Sequence, residues 1–179
     1  MPQAQNQDQN RNTSEAGDNA IAMLKKDHRK VEALFSQCEE TDDKRAKTRL
    51  VREICAELEL HAKLEESLFY PAAKRQAEEA EDTVNEGIVE HTGIKRLVRE
   101  LKDMTASEEL FEAKFTVLQE YVKHHVKEEE NEMFPKIEKS PMDLEELGAR
   151  MAAAKTRLEA PATRTGRGRS RSNGRHASH

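Results

Sequence analysis

The chain has 179 residues, 36% of them charged, 35% apolar and 4% aromatic, with no Trp and a formal net charge of -5. With only 7 Gly and 5 Pro, and with Ala, Glu, Lys and Leu filling the gap, the composition excludes collagen, a disulfide mini-scaffold and a many-turned β sandwich, and it favours helices. No apolar run approaches the roughly 20 residues that span a bilayer, the opening segment lacks the apolar core of a secretory signal, and Cys38 and Cys55 have no CxxC spacing, so a cytoplasmic protein with two buried thiols and no zinc ribbon is expected.

The charge is unevenly spread. Residues 1–18 carry -2, residues 19–159 carry -8, and residues 160–179 carry +5 from Arg164, Arg167, Arg169, Arg171 and Arg175. Both ends are rich in Gln, Asn, Ser, Gly and Arg and too poor in branched apolar residues to offset the entropy of ordering them. The expectation is a disordered segment over 1–18, one compact domain over 19–159 and a disordered Arg-rich tail over 160–179.

Behind Asp18, a helix N-cap candidate, Ile21, Leu24, His28, Val31, Phe35 and Cys38 recur at steps of three and four and mark one face of a first helix. Leu50, Ile54, Leu58, His61, Glu65 and Leu68 mark a second, closed by Pro71 or by the AAKRQAEEAED segment after it. Thr83 and Glu86 fit a capping box for a third helix with the stripe Ile88, His91, Ile94, Val98 and Leu101. Thr105 and Glu108 fit another, ahead of a fourth stripe of Leu110, Lys114, Val117 or Leu118, Tyr121, His125 and Glu129 that ends near Phe134 and Pro135. Asp143 and Glu146 cap a shorter fifth helix, whose Leu144, Leu147 and Met151 suit the end of a bundle. Four amphipathic helices with short connections predict an all-α fold, an up-down four-helix bundle with a short extra C-terminal helix.

Every one of the four main stripes holds a histidine where a leucine belongs, and the second and fourth add a carboxylate four residues later. Unpartnered in an apolar core, such groups would cost several kcal/mol each. The strings HAKLEESLFYP (61–71) and HVKEEENEMFP (125–135) match at the histidine, the lysine, both glutamates and the proline, so the chain contains an internal repeat. Histidine and glutamate at i, i+4 share one helix face and reach one centre. Four imidazoles and two carboxylates in two equal sets point to a dinuclear centre of borderline first-row metals, iron above all, with manganese and zinc accepting the same donors.

Alternatives exist at several positions. HHVKEEE also offers His124 with Glu128, but ten residues separate His61 from Pro71 and His125 from Pro135 alike, which selects His125. Asp27 and Glu90 precede candidate ligands and point about 100° away along their helices, and so are read as solvated surface. Tyr121 is read as a core tyrosine or as a hydrogen-bond donor behind the ligands.

At these residues the sequence resembles the hemerythrin-like, HHE cation-binding family, whose mark is a histidine on the first helix and HxxxE on the second, repeated over the next pair. The resemblance covers roughly residues 21–155. It implies His28, His61, His91 and His125 as imidazole ligands and Glu65 and Glu129 as bridging carboxylates of a non-haem di-iron centre, oxo- or hydroxo-bridged, that binds, senses or reacts with dioxygen, peroxide or nitric oxide, with a role in stress protection. Oxygen-carrying members have a further histidine one turn after the first on the third helix, where this chain has Lys95, a departure that weighs against simple reversible oxygen carriage. The competing functions are a non-catalytic iron-binding or iron-sensing module and an interaction scaffold. For the latter, the tail TRTGRGRSRSNGR neutralises phosphates of a nucleic acid or another polyanion without aromatic residues to read bases. No helix-turn-helix, phosphate-binding glycine loop or Ser/His/Asp constellation stands out.

Overall fold

The computed structural model describes residues 18–160. The expectations for 1–18 and for the Arg-rich tail 160–179 lie outside these residues, Asp18 and Ala160 excepted. Among the described residues the structure is all helical. Helix α1 spans Ala20–Glu39 and α2 spans Lys44–Leu64, which runs through a π turn, Glu65–Phe69, into α3, Tyr70–Gln76. A 3-10 turn at Glu78–Ala80 leads into α4, Glu81–Lys102. Helix α5, Phe111–Glu128, continues through a second π turn, Glu129–Met133, into α6, Phe134–Glu138, and α7 covers Leu144–Glu159. Four rods form the bundle, α1 beside α2, α4 beside α5 and α2 beside α4, while α7 lies against α1, α2 and the first π turn. No helix among the described residues is long and apolar enough to cross a membrane.

The apolar stripes bury into two separate clusters. One, towards the π turns and α7, holds Leu24, Leu64, Phe69, Tyr70, Val84, Met133, Phe134 and Met151. The other, at the far end, holds Val31, Phe35, Ile54, Leu58, Ile94, Leu101, Phe115 and Leu118. Both cysteines are buried, free thiols. The final helix is drawn close by Gly148, where a Cβ would come within 2.6 Å of the Asp18 carbonyl oxygen and 2.8 Å of the Ala20 nitrogen. Only a residue without a side chain admits that approach.

Several local expectations change. Asn19, not Asp18, caps α1, accepting from Ala22 N–H at 2.9 Å. Helix α4 begins two residues before Thr83, whose hydroxyl donates instead to the Ala80 carbonyl. The Thr105–Glu108 box forms, with Glu108 accepting from the Thr105 N–H and hydroxyl, but it closes a turn, and α5 starts only at Phe111. The stripe of α5 is Phe111, Phe115, Leu118, Val122 and His125, whereas Leu110, Val117 and Tyr121 are exposed. Tyr121, 44% exposed, is therefore neither core nor behind the ligands. Ile88 is also on the outer face of α4. Pro71 does not close the second helix. The break falls at Ala77, with φ -132° and ψ 69°, so the segment after the proline ends it.

Candidate metal centre

Each of the four histidines sits on its helix where one apolar cluster ends and the other begins: His28 between Leu24 and Val31, His61 between Leu58 and Leu64, His91 between Val84 and Ile94, His125 between Val122 and Met133. The bundle thereby holds a polar layer sandwiched between two dry cores. Both π turns start at the glutamate of an HxxxE pair and precede a proline, Pro71 or Pro135. Proline cannot donate the i→i−4 bond and its ring crowds the preceding turn, and the wider turn relieves this. In each, the N–H after the turn, of Tyr70 or Phe134, bonds five residues back to the Glu65 or Glu129 carbonyl.

All six candidate residues meet in this layer, and Glu65 and Glu129 are fully buried. The Nε2 atoms of His28 and His61 are 3.3 Å apart and those of His91 and His125 are 3.1 Å apart. Glu65 Oε2 lies 3.2 Å from Nε2 of both His61 and His91, and so spans the two pairs. Glu129 Oε2 does the same at 3.2 Å from His28 and 3.7 Å from His125. His28, His61, Glu65 and Glu129 converge as one donor group and Glu65, His91 and His125 as another, the ligand atoms within 4.8 Å of one another in each.

Outside this layer stands a ring of four carboxylates, two of which, Asp27 and Glu90, helical periodicity reads as solvated surface. His28 Nδ1 lies 2.8 Å from Glu130, His91 Nδ1 3.0 Å from Glu66 and His125 Nδ1 2.7 Å from Glu90. Asp27, only 8% exposed, stands 3.8 Å from His61 Nδ1, an electrostatic contact too long for a hydrogen bond. Asp27 is thus buried and Glu90 half-buried: the direction 100° around the helix faces the neighbouring helix. With Nδ1–H donating outward, the Nε2 lone pair points inward, the tautomer a metal ligand needs. Lys95 occupies the outer ring too, paired with Glu66.

The two halves differ at the buried residue that follows each π turn. Tyr70 follows the first π turn where Phe134 follows the second, and its hydroxyl donates to Glu129 Oε1 at 2.9 Å. Phe134 stacks on His28 with 5° between planes and 6.0 Å between centroids. Gly87 leaves room for the phenol, since a Cβ there would lie 3.0 Å from the Tyr70 oxygen.

The electrostatics follow from burial and close packing. Burial pushes the Glu65 carboxyl up, but His61 and His91 outweigh it and hold it well below the usual carboxylate range. Burial pushes His61 down, and the Glu65 charge, Asp27 and Glu129 reverse that, raising it to about 10. His125 is raised in the same way, chiefly by Glu129 and Glu90 against burial. Burial raises Tyr70 well above its ordinary value, and the Glu65 and Glu129 charges add to this, so the phenol stays a neutral donor.

The donor chemistry fits a cation. Both oxygens of Glu65, Glu129 Oε2 and His61 Nδ1 are buried without a hydrogen-bond partner, and buried polar groups are normally satisfied. Oxygens and ring nitrogens this close repel unless positive charge lies between them, and one metal ion serves several at once. On the side of the second apolar cluster the four histidines border a cavity of about 20 Å³, otherwise walled mainly by Val31, Leu58, Ala62, Ile94, Val122 and Val126. A groove of about 260 Å³ between α1 and α5, sharing His28, Val122 and Val126 with that cavity, leads to the surface.

The chain is similar to several known proteins. A DNA nickase of Nostoc sp. is 27% identical over 139 residues, 76% of this chain, and the chain spans only 39% of that relative's length. A hemerythrin-like protein of Schizosaccharomyces pombe is 26% identical over 137 residues, 76% of this chain and 68% of its own. The crystal structure of a hemerythrin HHE cation binding domain-containing protein from Mycobacterium kansasii superposes with a TM-score of 0.66 at 26% identity, covering 78% of this chain and 86% of that one. The profile of the hemerythrin HHE cation binding domain matches residues 19–137, and the chain belongs to that family of cation-binding helical bundles.

Proposed function

We propose that the centre holds two iron ions, one on the side of His28 and His61 and one on the side of His91 and His125, with Glu65 and Glu129 shared, and that it binds or reacts with dioxygen, peroxide or nitric oxide. The observation that carries this reading is the small cavity against the four imidazoles, whose remaining walls are mainly aliphatic. Its volume suits a molecule of two or three atoms, and beyond the histidines and Asp27 its walls are aliphatic. Bound iron would supply open coordination positions and one-electron chemistry.

The chain's own residues do the rest. Glu130, Glu66 and Glu90 hold the Nδ1 protons of His28, His91 and His125, which fixes ring orientation and strengthens the imidazoles as ligands. Tyr70 keeps Glu129 Oε1 occupied and leaves Oε2 directed at the histidines. Aerobic iron loading followed by azide or peroxide addition tests the reading. A near-ultraviolet absorption that either reagent shifts is expected, and a spectrum indifferent to both would contradict it.

A further inference from the structure

Three of the four outer carboxylates end on a permanent cation: Glu130 on Arg29, Glu66 on Lys95 and Asp27 on Lys155. The fourth, Glu90, has no lysine or arginine partner among the described residues. Its Oε2 accepts from His125, and its Oε1 lies 3.3 Å from Nε2 of His124. That same nitrogen is 3.0 Å from Glu128 Oε1. Where Arg29, Lys95 and, from outside the repeat, Lys155 of α7 bring a fixed positive charge to the other three carboxylates, an imidazole and a second carboxylate stand here instead.

What stands there is a donor set. Glu90 comes from α4, and His124 and Glu128 come from α5 at the i, i+4 spacing that puts both on one face. One ligand atom from each falls within 4.8 Å of the others. The three line an open groove with Asn85 and Glu86, so water has access to complete a coordination shell. We propose that Glu90, His124 and Glu128 form an outer site for a divalent first-row cation such as zinc, manganese or iron(II), separate from the central pair. Two carboxylates and one imidazole are borderline donors of the kind these ions take. Exposure and only three protein ligands make the site weaker than the core. Glu90 is common to both: a cation on Oε1 draws electron density from the carboxylate whose Oε2 holds His125, so the outer site communicates with a core ligand through a single side chain. None of this depends on which metal the core holds or on its reactivity.

The test is a zinc titration of the full-length protein with its core already loaded, comparing the parent with His124→Gln, Glu128→Gln and a His176→Gln/His179→Gln control for the tail imidazoles. The parent and the tail control should each take up one zinc beyond the core. Either outer-site substitution should abolish that uptake or weaken it by at least about tenfold, with core metal content unchanged. An isotherm in His124→Gln and Glu128→Gln identical to the parent would overturn the proposal. So would a parent that binds no zinc beyond the core, or an extra zinc lost only in the tail control.

Discussion

His28 on α1 and Glu130 on the π turn after α5 meet at 2.8 Å although 102 residues separate them. The bond joins the first rod to the last across the groove between α1 and α5, and Arg29 pairs with the same carboxylate from the solvent side. Burial pushes Glu130 up, yet His28 and Arg29 hold it below its ordinary value, so it stays an ionised acceptor. Outer partners of this kind typically contribute 10–100-fold to metal affinity. Glu130→Ala should weaken metal binding by roughly that factor in a chelator competition, whereas Glu132→Ala, at an exposed position on the same turn, should leave affinity unchanged.

Tyr70 supplies a second test, because its hydroxyl is the sole hydrogen-bond donor found for Glu129 Oε1 among the described residues. Tyr70→Phe keeps the ring and makes this half resemble the other, where Phe134 stands. It leaves a buried carboxylate oxygen unsatisfied, at a cost of about 1–3 kcal/mol in the metal-free protein by denaturant unfolding. An unchanged midpoint would show that the phenol contributes no support.

The six residues of the central layer were legible because the chain states them twice, and a polar residue at a stripe position carries a cost that only a partner removes. The outer ring was not, because Asp27 and Glu90 precede a ligand and Glu66 and Glu130 follow one. Helical periodicity turns such neighbours away from their own stripe and says nothing about the next helix. The signal was present all the same: an acid before the first histidine of each half and a Glu-Glu doublet in each repeat. Tyr121 misled for the opposite reason. Counting back from His125 by four gives Tyr121 and by three gives Val122, and only packing against Phe35 and Phe115 in the second cluster favours Val122. The π turns had no counterpart in stripe counting, which assumes a constant period.

The two thiols give a pH dependence with a definite sign. Burial raises Cys38 to about 11 and Cys55 to about 12. A folded-state value above that of the unfolded chain means that the native state holds protons the unfolded state releases, so this share of stability is complete below about pH 8.5 and is lost as pH climbs through the folded values. Unfolding midpoints measured from pH 8 upward should fall less steeply in Cys38→Ala/Cys55→Ala than in the parent. Equal slopes would mean the thiols are not desolvated. In the same range, native protein should resist alkylation until it is unfolded.

The central claim is that two metal ions share one buried layer, with His125 and not its neighbour among the ligands. Metal per chain after aerobic iron loading and removal of loosely held ions on a chelating resin tests it most directly, measured on the parent, His125→Ala and His124→Ala. The account predicts two irons in the parent and in His124→Ala, because His124 is 63% exposed and directed outward, and a loss of at least one in His125→Ala, whose Nε2 faces His91 and Glu129. One iron per chain in the parent, or loss of iron from His124→Ala with His125→Ala intact, would contradict it.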